Sequence, residues 1–276
     1  MSQSGQPASE DKTDKLADID TRLFNSSVRK AIEVLEAFNG GAPEQTIGQL
    51  TSATGADRSS VQRAVYTLQK MGYLKSDPET RRYRVSERMM DMSFAFLRAD
   101  RMVEAALSPL ALLSERTGDS VHLSRMSGFD IVYLLRWPTG MQQHFASLPG
   151  RRLPAFCTSG GRAMLSLWPR EAMIEFIQKA PIQARTAKTT TDPDDLINMI
   201  DAARERGFAR SDGECLIGET ALSVPVLYPG FEQSGAALHV TFSADKYTEA
   251  EIEKDHPSAQ ERRSDAQPDD ESLTEI

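Results

Sequence analysis

The stretch that most constrains this chain is residues 56–74, ADRSSVQRAVYTLQKMGYL. Val61, Val65 and Leu68 recur at i, i+4 and i+7, one apolar stripe along a helix. Arg58, Ser59, Ser60, Gln62, Arg63 and Tyr66 fall off that stripe. A helix seated by its apolar side that turns Arg, Gln and Ser outward suits a DNA major groove. There Arg and Gln match base edges, and Ser at the helix start holds phosphate. The bland alternative is a solvated helix face.

The flanking segments decide between the two. Ahead of this helix, Val28, Ala31, Ile32, Leu35 and Phe38 mark an amphipathic helix after a cap at Ser26 or Ser27, ended by Gly40 and Gly41. Thr46 and Gln49 have capping-box spacing and start a short helix with Ile47, Leu50 and Ala53. Gly55 supplies the turn and Asp57 the next cap. Behind it, residues 73–75 and 82–85 read as two short strands around the turn 77–80, with Arg81, Arg82 and Arg84 as phosphate or minor-groove contacts. Three helices and a hairpin make a winged helix-turn-helix. Charge agrees: the chain has net charge −8, yet residues 22–88 sum to +4, while 1–21 sum to −3 and 245–276 to −7. The basic excess sits where phosphate would be met.

Residues 86–104 read as one longer helix with Met89, Met92, Phe96 and Leu97 on one side, a linker and candidate dimer contact. Beyond it a helix at 107–116 precedes strands at 120–124 and 131–135 joined by a Ser127-Gly128 turn. An extended segment follows at 153–156. Ser159-Gly160-Gly161 opens a helix at 162–167, with further helices at 171–177 and 193–206. Strands at 208–210, 221–226 and 235–242 complete the sheet. Helices and strands mix without strict βαβ alternation, which predicts an α+β domain around an antiparallel sheet.

Composition excludes other classes. The chain is 39% hydrophobic with two cysteines, enough for a core and too few thiols for a disulfide framework; without a CxxC string there is no zinc-site signature. Two cysteines suit a reducing compartment, and the polar, acidic start lacks the apolar region of a signal peptide. No apolar run reaches the length of about 18 residues that a membrane span needs. The reading is therefore cytoplasmic, with no membrane partner and no cofactor. No GxSxG, HExxH, P-loop or GxGxxG string occurs. An enzyme would rest on Cys157 paired with His122 or His144, although a lone Cys in an apolar strand is more often a small buried hydrophobe. A third class is a small-molecule sensor that acts through protein partners without binding DNA.

Six strings in order carry a family resemblance: SSVRKAIEVLEAF, IGQLTSATGADRSSVQRAVYTLQKMGYL, RRYRVSERMMDM, PGRRLPAFCTSGGRAMLS, RERGFARSDGECLIGETALSVPV and GAALHVTFSADKYTEAEI. Together they make residues 22–252 similar to IclR-type transcriptional regulators. The resemblance implies an N-terminal winged helix-turn-helix domain at 22–86, a linker helix at 87–104, and a C-terminal GAF-like α/β effector domain with an antiparallel sheet at 105–252. Polar tails expected to be disordered would flank these at 1–21 and 253–276. It also implies a homodimer or homotetramer that binds double-stranded DNA and answers to a small-molecule effector, often an organic acid or aromatic of a catabolic pathway. Carried over by position, the effector-binding candidates are Ser159, Gly160, Gly161, Ser211, Glu219, Ala221, His239 and Thr241. The N–H groups ahead of the helix at 162 would receive a carboxylate.

Two features depart from the family pattern. From Glu253 the chain is polar with two prolines where the family pattern has an apolar closing helix, so that helix is expected to be missing. Glu219 and His239 stand where small or apolar groups are usual, which favours an effector with a hydroxyl, amine or aromatic ring. The sequence thus reads as a ligand-responsive repressor of a catabolic operon that binds a palindromic operator through the helix at 57–71 and the wing.

Overall fold

In the computed structural model, the structure describes residues 20–137, 148–228, 231–248 and 251–252. The chain divides into two compact units, Met1–Ala99 and Asp100–Ile276. No helix of the described residues is long and apolar enough to cross a membrane.

The first unit is built by local capping chemistry. Helix α1, Ser26–Gly40, is capped by Asn25, whose side chain accepts from the N–H of Ser27 and of Val28. The expected cap at Ser26 or Ser27 is therefore corrected: Asn caps as well as Ser, and both serines lie inside the first turn. Helix α2, Ile47–Thr54, opens with the reciprocal Thr46–Gln49 capping box. It closes on Gly55 at φ 65°, a left-handed conformation that favours glycine. Helix α3, Arg58–Lys70, is capped by Asp57, which accepts from the Ser60 N–H at 2.8 Å. Val34, Leu50, Val61, Val65, Leu68 and Leu74 form the core beneath these helices. Strands β1, Leu74–Ser76, and β2, Tyr83–Val85, pair antiparallel, and a further bridge joins Gln45 to Tyr83. Asp77 folds the turn between them by accepting from the N–H groups of Glu79 and Thr80.

The expected single helix over 87–104 is two helices. Helix α4, Met89–Ala99, stops before Asp100, and helix α5 runs over Arg101–Thr117. Asp100 leaves helical geometry at φ −94°, ψ 105° and caps α5 through the N–H groups of Met102 and Val103. Its carboxylate also pairs with Arg125, 2.6 Å away. The expected boundary at 104/105 thus falls inside α5. On α4, Met90, Met92, Phe94 and Phe96 are exposed.

The second unit is an antiparallel sheet of order β5-β4-β3-β8-β7-β6. Its strands are β3 Ser120–Ser127, β4 Asp130–Trp137, β5 Arg152–Pro154, β6 Ala209–Asp212, β7 Glu219–Tyr228 and β8 Phe231–Ser243. Helices α6 (Ser159–Leu165), α7 (Arg170–Lys179) and α8 (Pro193–Arg206) cover it through a core that includes Ile131, Tyr133, Met164, Met173, Ile177, Leu196 and Ile200. Two local expectations are corrected. Residues 155–157 form a 3₁₀ turn rather than extended chain. Ser159, Gly160 and Gly161 are the first turn of α6 rather than a loop ahead of it, because the Thr158 hydroxyl accepts from the Gly161 N–H and caps the helix three positions early. Of the two tails, only Asp20 and Thr21 are among the described residues.

The first unit's core gives a direct stability test. Leu50→Ala empties a fully buried site and is expected to cost about 2–5 kcal/mol, whereas Gln62→Ala on the exposed face stays within about 0.5 kcal/mol. Urea midpoints of the two variants check the difference.

Candidate nucleic-acid interface and ligand site

Helix α3 separates cleanly into two faces. Val61, Ala64, Val65 and Leu68 are buried, and Arg58, Ser59, Gln62, Arg63 and Tyr66 are exposed. Ser60 is the exception among the expected contacts. It is only 7% exposed, and its hydroxyl accepts from Lys30 at 2.9 Å and from Arg63 at 3.1 Å. It therefore braces α3 against α1 instead of facing outward. Its position beside Val61 puts it at the edge of the apolar stripe, and Lys30, distant in sequence, draws it in. Asp57 gathers hydrogen bonds from Ser60 and Ser59, which hold its carboxyl well below the ordinary range. The outward face extends further than the sequence reading took it: Thr67 and Lys70 are exposed too, with the Lys70 ammonium 5.5 Å from the Tyr66 ring centroid.

In the wing, Arg81 and Arg84 are exposed, and Arg81 takes a left-handed φ of 52°. Arg82 turns back instead: its Nη1 donates to the Glu44 carbonyl at 3.2 Å. A cleft of about 510 Å³ lined by Glu44, Gln69, Lys75, Asp77, Arg82 and Arg84 separates the wing from the helices.

In the second unit, strand register places a polar band under α6. His239 on β8 lies opposite His122 of β3 and Ser223 of β7. Its ring is 1% exposed, with Nε2 2.6 Å from the Ser124 hydroxyl and Nδ1 3.0 Å from that of Ser223. Ser223 reaches Ser159 at 2.6 Å, so hydrogen bonding runs from the sheet into α6. Gly160 lies flat on the imidazole: a Cβ there would come 1.9 Å from His239 Cε1. Gly161 lies equally close to the Ala155 carbonyl. His122 Nε2 is 2.9 Å from the Thr241 hydroxyl, but among the described residues its buried Nδ1 has no hydrogen-bond partner, and neither has the Ser120 hydroxyl. Tyr133 stands edge-on to His122 at 5.4 Å and tilted against His239 at 5.5 Å.

Burial governs the charge of this band. Desolvation pushes His122 and His239 from 6.5 down to about 3, with His239 and Arg136 adding to the effect on His122. Both rings are neutral at neutral pH. Burial also raises the Tyr133 phenol, helped by the nearby Glu219 carboxylate and opposed by Arg151.

The eight effector-site candidates fall into three groups. Ser159, Gly160, His239 and Thr241 meet around the imidazoles, and Gly161 follows in the same turn, against the Ala155 carbonyl. Ser211 donates to the Cys157 carbonyl at 2.9 Å, and half-buried Ala221 sits between Ser211 and Thr241 in the register. Glu219 is at the far end of β7, half-buried, within electrostatic reach of Tyr133. Of the expected carboxylate receptor at the start of α6, the Gly161 N–H is taken by the Thr158 hydroxyl and Gly160 packs against the His239 ring. His122, Ser124, Tyr133 and Ser223 complete the band and were not among the expected site residues. Polar residues alternating with apolar ones on β3, S-V-H-L-S, were the available signal. Nor does Cys157 pair with His122: the Cys157 sulfur neighbours the Pro154 carbonyl and the Cys215 sulfur, and His144 lies outside the described residues.

A winged helix-turn-helix unit followed by an antiparallel-sheet unit defines the class, that of winged-helix transcriptional regulators. Comparison with known proteins gives the family. Residues 94–262 match the model described as bacterial transcriptional regulator IclR C-terminal, and residues 27–78 match the IclR helix-turn-helix domain. The chain belongs to the IclR family of transcriptional regulators. It is 30% identical over 232 residues to the Pca regulon regulatory protein of Pseudomonas putida, an alignment that spans 84% of this chain and 79% of that protein. To the p-hydroxybenzoate hydroxylase transcriptional activator of Acinetobacter baylyi it is 29% identical, over 76% of this chain and 79% of that one. Among solved structures, a regulator from Rhodococcus sp. RHA1 superposes with a TM-score of 0.72 at 26% identity, covering 84% of this chain and 92% of that chain. An IclR homolog from Microbacterium hydrocarbonoxydans complexed with 4-hydroxybenzoate superposes with a TM-score of 0.67 at 22% identity, covering 83% and 93%. These relatives are regulators of transcription, not enzymes.

Two predictions follow from the imidazole band. Gly160→Ala drives a methyl into the His239 ring and is expected to destabilise the protein by about 1–3 kcal/mol, with much of the loss recovered in Gly160→Ala/His239→Ala; thermal melts that leave Gly160→Ala at the wild-type midpoint would contradict the contact. The second concerns pH. Because the folded state holds both imidazoles near 3 while the unfolded chain protonates them near 6.5, the unfolded state binds more protons in between. Stability is complete above 6.5 and is lost as pH falls toward 3. Between 6.5 and the ordinary glutamate value of 4.5 carboxylates contribute little, so urea midpoints should fall across that window in the wild type and fall less in His239→Gln.

Proposed function

We propose that this chain is a ligand-responsive, DNA-binding regulator that binds a palindromic operator as a homodimer or homotetramer. In this reading α3 enters the major groove with Arg58, Ser59, Gln62 and Arg63 toward the bases and phosphates, and Tyr66 at its edge. Arg81 and Arg84 of the wing reach the backbone or the minor groove, and Arg82 braces the wing from behind. The observation that carries the proposal is the segregation of α3: its apolar residues are buried, while Arg58, Gln62 and Arg63 are exposed on the opposite side. A bidentate Arg–guanine or Gln–adenine pair contributes about 1–3 kcal/mol of discrimination.

The effector reading rests on the imidazole band. A buried nitrogen without a partner costs free energy that a bound group can recover. His122 Nδ1 and the Ser120 hydroxyl are such groups, beside neutral His239 and the Tyr133 ring. They favour a small aromatic or organic acid that offers a hydroxyl or carboxyl oxygen and, for the aromatic, a ring to stack. The names of the relatives support the same chemistry: one controls the Pca regulon, one the hydroxylase of p-hydroxybenzoate, and one structure holds 4-hydroxybenzoate. Effector binding then shifts the population between DNA-competent and DNA-incompetent states. Repression is the proposed direction of control, and a promoter–reporter fusion with and without the regulator reads that sign directly.

Arg63→Ala is the test of the DNA face. Genomic DNA fragments of the source organism, incubated with purified protein and sequenced after retention, should give discrete sites for the wild type. The variant should bind those sites at least about ten-fold more weakly, the equivalent of about 1.4 kcal/mol, while its melting midpoint is unchanged. Equal retention by both proteins removes Arg63 from the interface, and no discrete sites for the wild type would favour a sensor that acts through protein partners.

A further inference from the structure

The chain's two cysteines lie 58 positions apart, Cys157 in the 3₁₀ turn ahead of α6 and Cys215 in the segment between β6 and β7. Their sulfurs nevertheless sit 2.8 Å from one another. That is closer than ordinary nonbonded contact and within an ångström of a bonded sulfur pair at about 2.0 Å. The Cys215 thiol also approaches the Cys157 carbonyl at 3.2 Å. Both thiols are free.

Side-chain contacts hold the two cysteine segments together. Ser211 donates to the Cys157 carbonyl at 2.9 Å. Buried Arg162 donates to the Phe156 carbonyl at 2.8 Å and clasps Glu214, next to Cys215, through two contacts of 2.6 Å. The residues beside each cysteine are thus fastened to one guanidinium. Exposure is unequal: Cys157 is fully buried, and Cys215 is partly open to solvent.

We propose that Cys157 and Cys215 are a reversible oxidation site, closed to an intramolecular disulfide by peroxides and reopened by thiols. Cys215, the more accessible partner, attacks the peroxide O–O bond. Its sulfur takes one oxygen as a sulfenic acid, and the other leaves as water or an alcohol with the thiol proton. The Cys157 sulfur then attacks that of Cys215, the S–S bond forms, and the sulfenic oxygen leaves as water with the second thiol proton. Two thiols are oxidised by two electrons and one peroxide is reduced. A dithiol reductant returns both thiols by exchange. The hydrogen bond to Cys157, then burial, pushes the Cys215 thiol well above its ordinary value. Oxidation is accordingly slow near neutrality and quickens as pH rises. Tyr133 lies within electrostatic reach of both sulfurs and packs on His239, so the bond forms at the margin of the imidazole band. A transient disulfide of this kind is the form expected where thiols are otherwise kept reduced.

The test uses the full chain. Purified protein is treated with one equivalent of hydrogen peroxide, blocked with iodoacetamide, and followed by intact mass, peptide mapping and thermal melts. The expected result is a Cys157–Cys215 linked peptide within one chain, loss of both alkylatable thiols and a raised melting midpoint, all reversed by dithiothreitol. In Cys157→Ser, Cys215 should instead yield a sulfenic acid captured by dimedone. Persistence of both thiols, further oxidation of Cys215 without a linked peptide, or a bond between chains would overturn the proposal. The wild-type result decides even if the variant fails to fold.

Discussion

The second unit depends on the ion pair between Arg162 and Glu214. Arg162 is 1% exposed, and each of its terminal nitrogens lies 2.6 Å from a carboxylate oxygen. An isolated charge at that depth is strongly disfavoured, so the guanidinium is stable only with its donors engaged. They reach the Glu214 carboxylate and the carbonyls of Phe156 and Arg210. Thr190 donates its N–H to the same carboxylate at 3.1 Å. One side chain of α6 therefore ties together the turn before its own helix, β6 and the segment after it. Such a pair is fragile: removing one partner leaves the other buried and unpaired, at a cost of about 3–5 kcal/mol.

That clasp sets where the first turn of α6 lands. With Arg162 fixed, Gly160 and Gly161 have no freedom to stand off the sheet. Gly160 meets His239 and Gly161 meets the Ala155 carbonyl, approaches that a Cβ would block. Ser159 then reaches Ser223, and the polar band is closed from above. The band is an unusual core. Most of its members are satisfied by one another, which makes it rigid, while among the described residues the Nδ1 of His122 and the Ser120 hydroxyl are left with hydrogen-bonding capacity. An apolar core of the same shape would be indifferent to a polar metabolite. This one has a chemical reason to prefer one.

Much of the fold was legible because it is locally encoded. The Thr46–Gln49 box, Gly55 and Asp57 each act within four residues, and the spacing of Val61, Val65 and Leu68 states which side of α3 is buried. The misreadings have non-local causes. Asp100 interrupts an apolar pattern that continues on both sides, and its carboxylate pairs with Arg125, on a strand twenty-five positions on. Ser60 turns inward because Lys30 of α1 reaches it. Arg82 turns back because the Glu44 carbonyl lies behind the wing. The proposed ligand site was the least legible part. The resemblance to IclR regulators drew attention to Gly160, His239 and Thr241. Strand register alone brings His122 beside His239 and Tyr133 beside Ser124, and no short-range pattern reports a register. The cysteine pair was invisible for the same reason.

The central claim is that one chain couples a polar sheltered band to a DNA-reading helix. The most direct measurement is fluorescence anisotropy of a retained DNA fragment titrated with protein, with and without 4-hydroxybenzoate and related hydroxylated and unsubstituted benzoates, on the wild type and on His122→Phe. The account predicts that at least one hydroxylated benzoate shifts the wild-type affinity severalfold, and that the shift is lost in His122→Phe while DNA binding without ligand is kept. A shift of equal size in both proteins, or no shift with any of the probes, would contradict it.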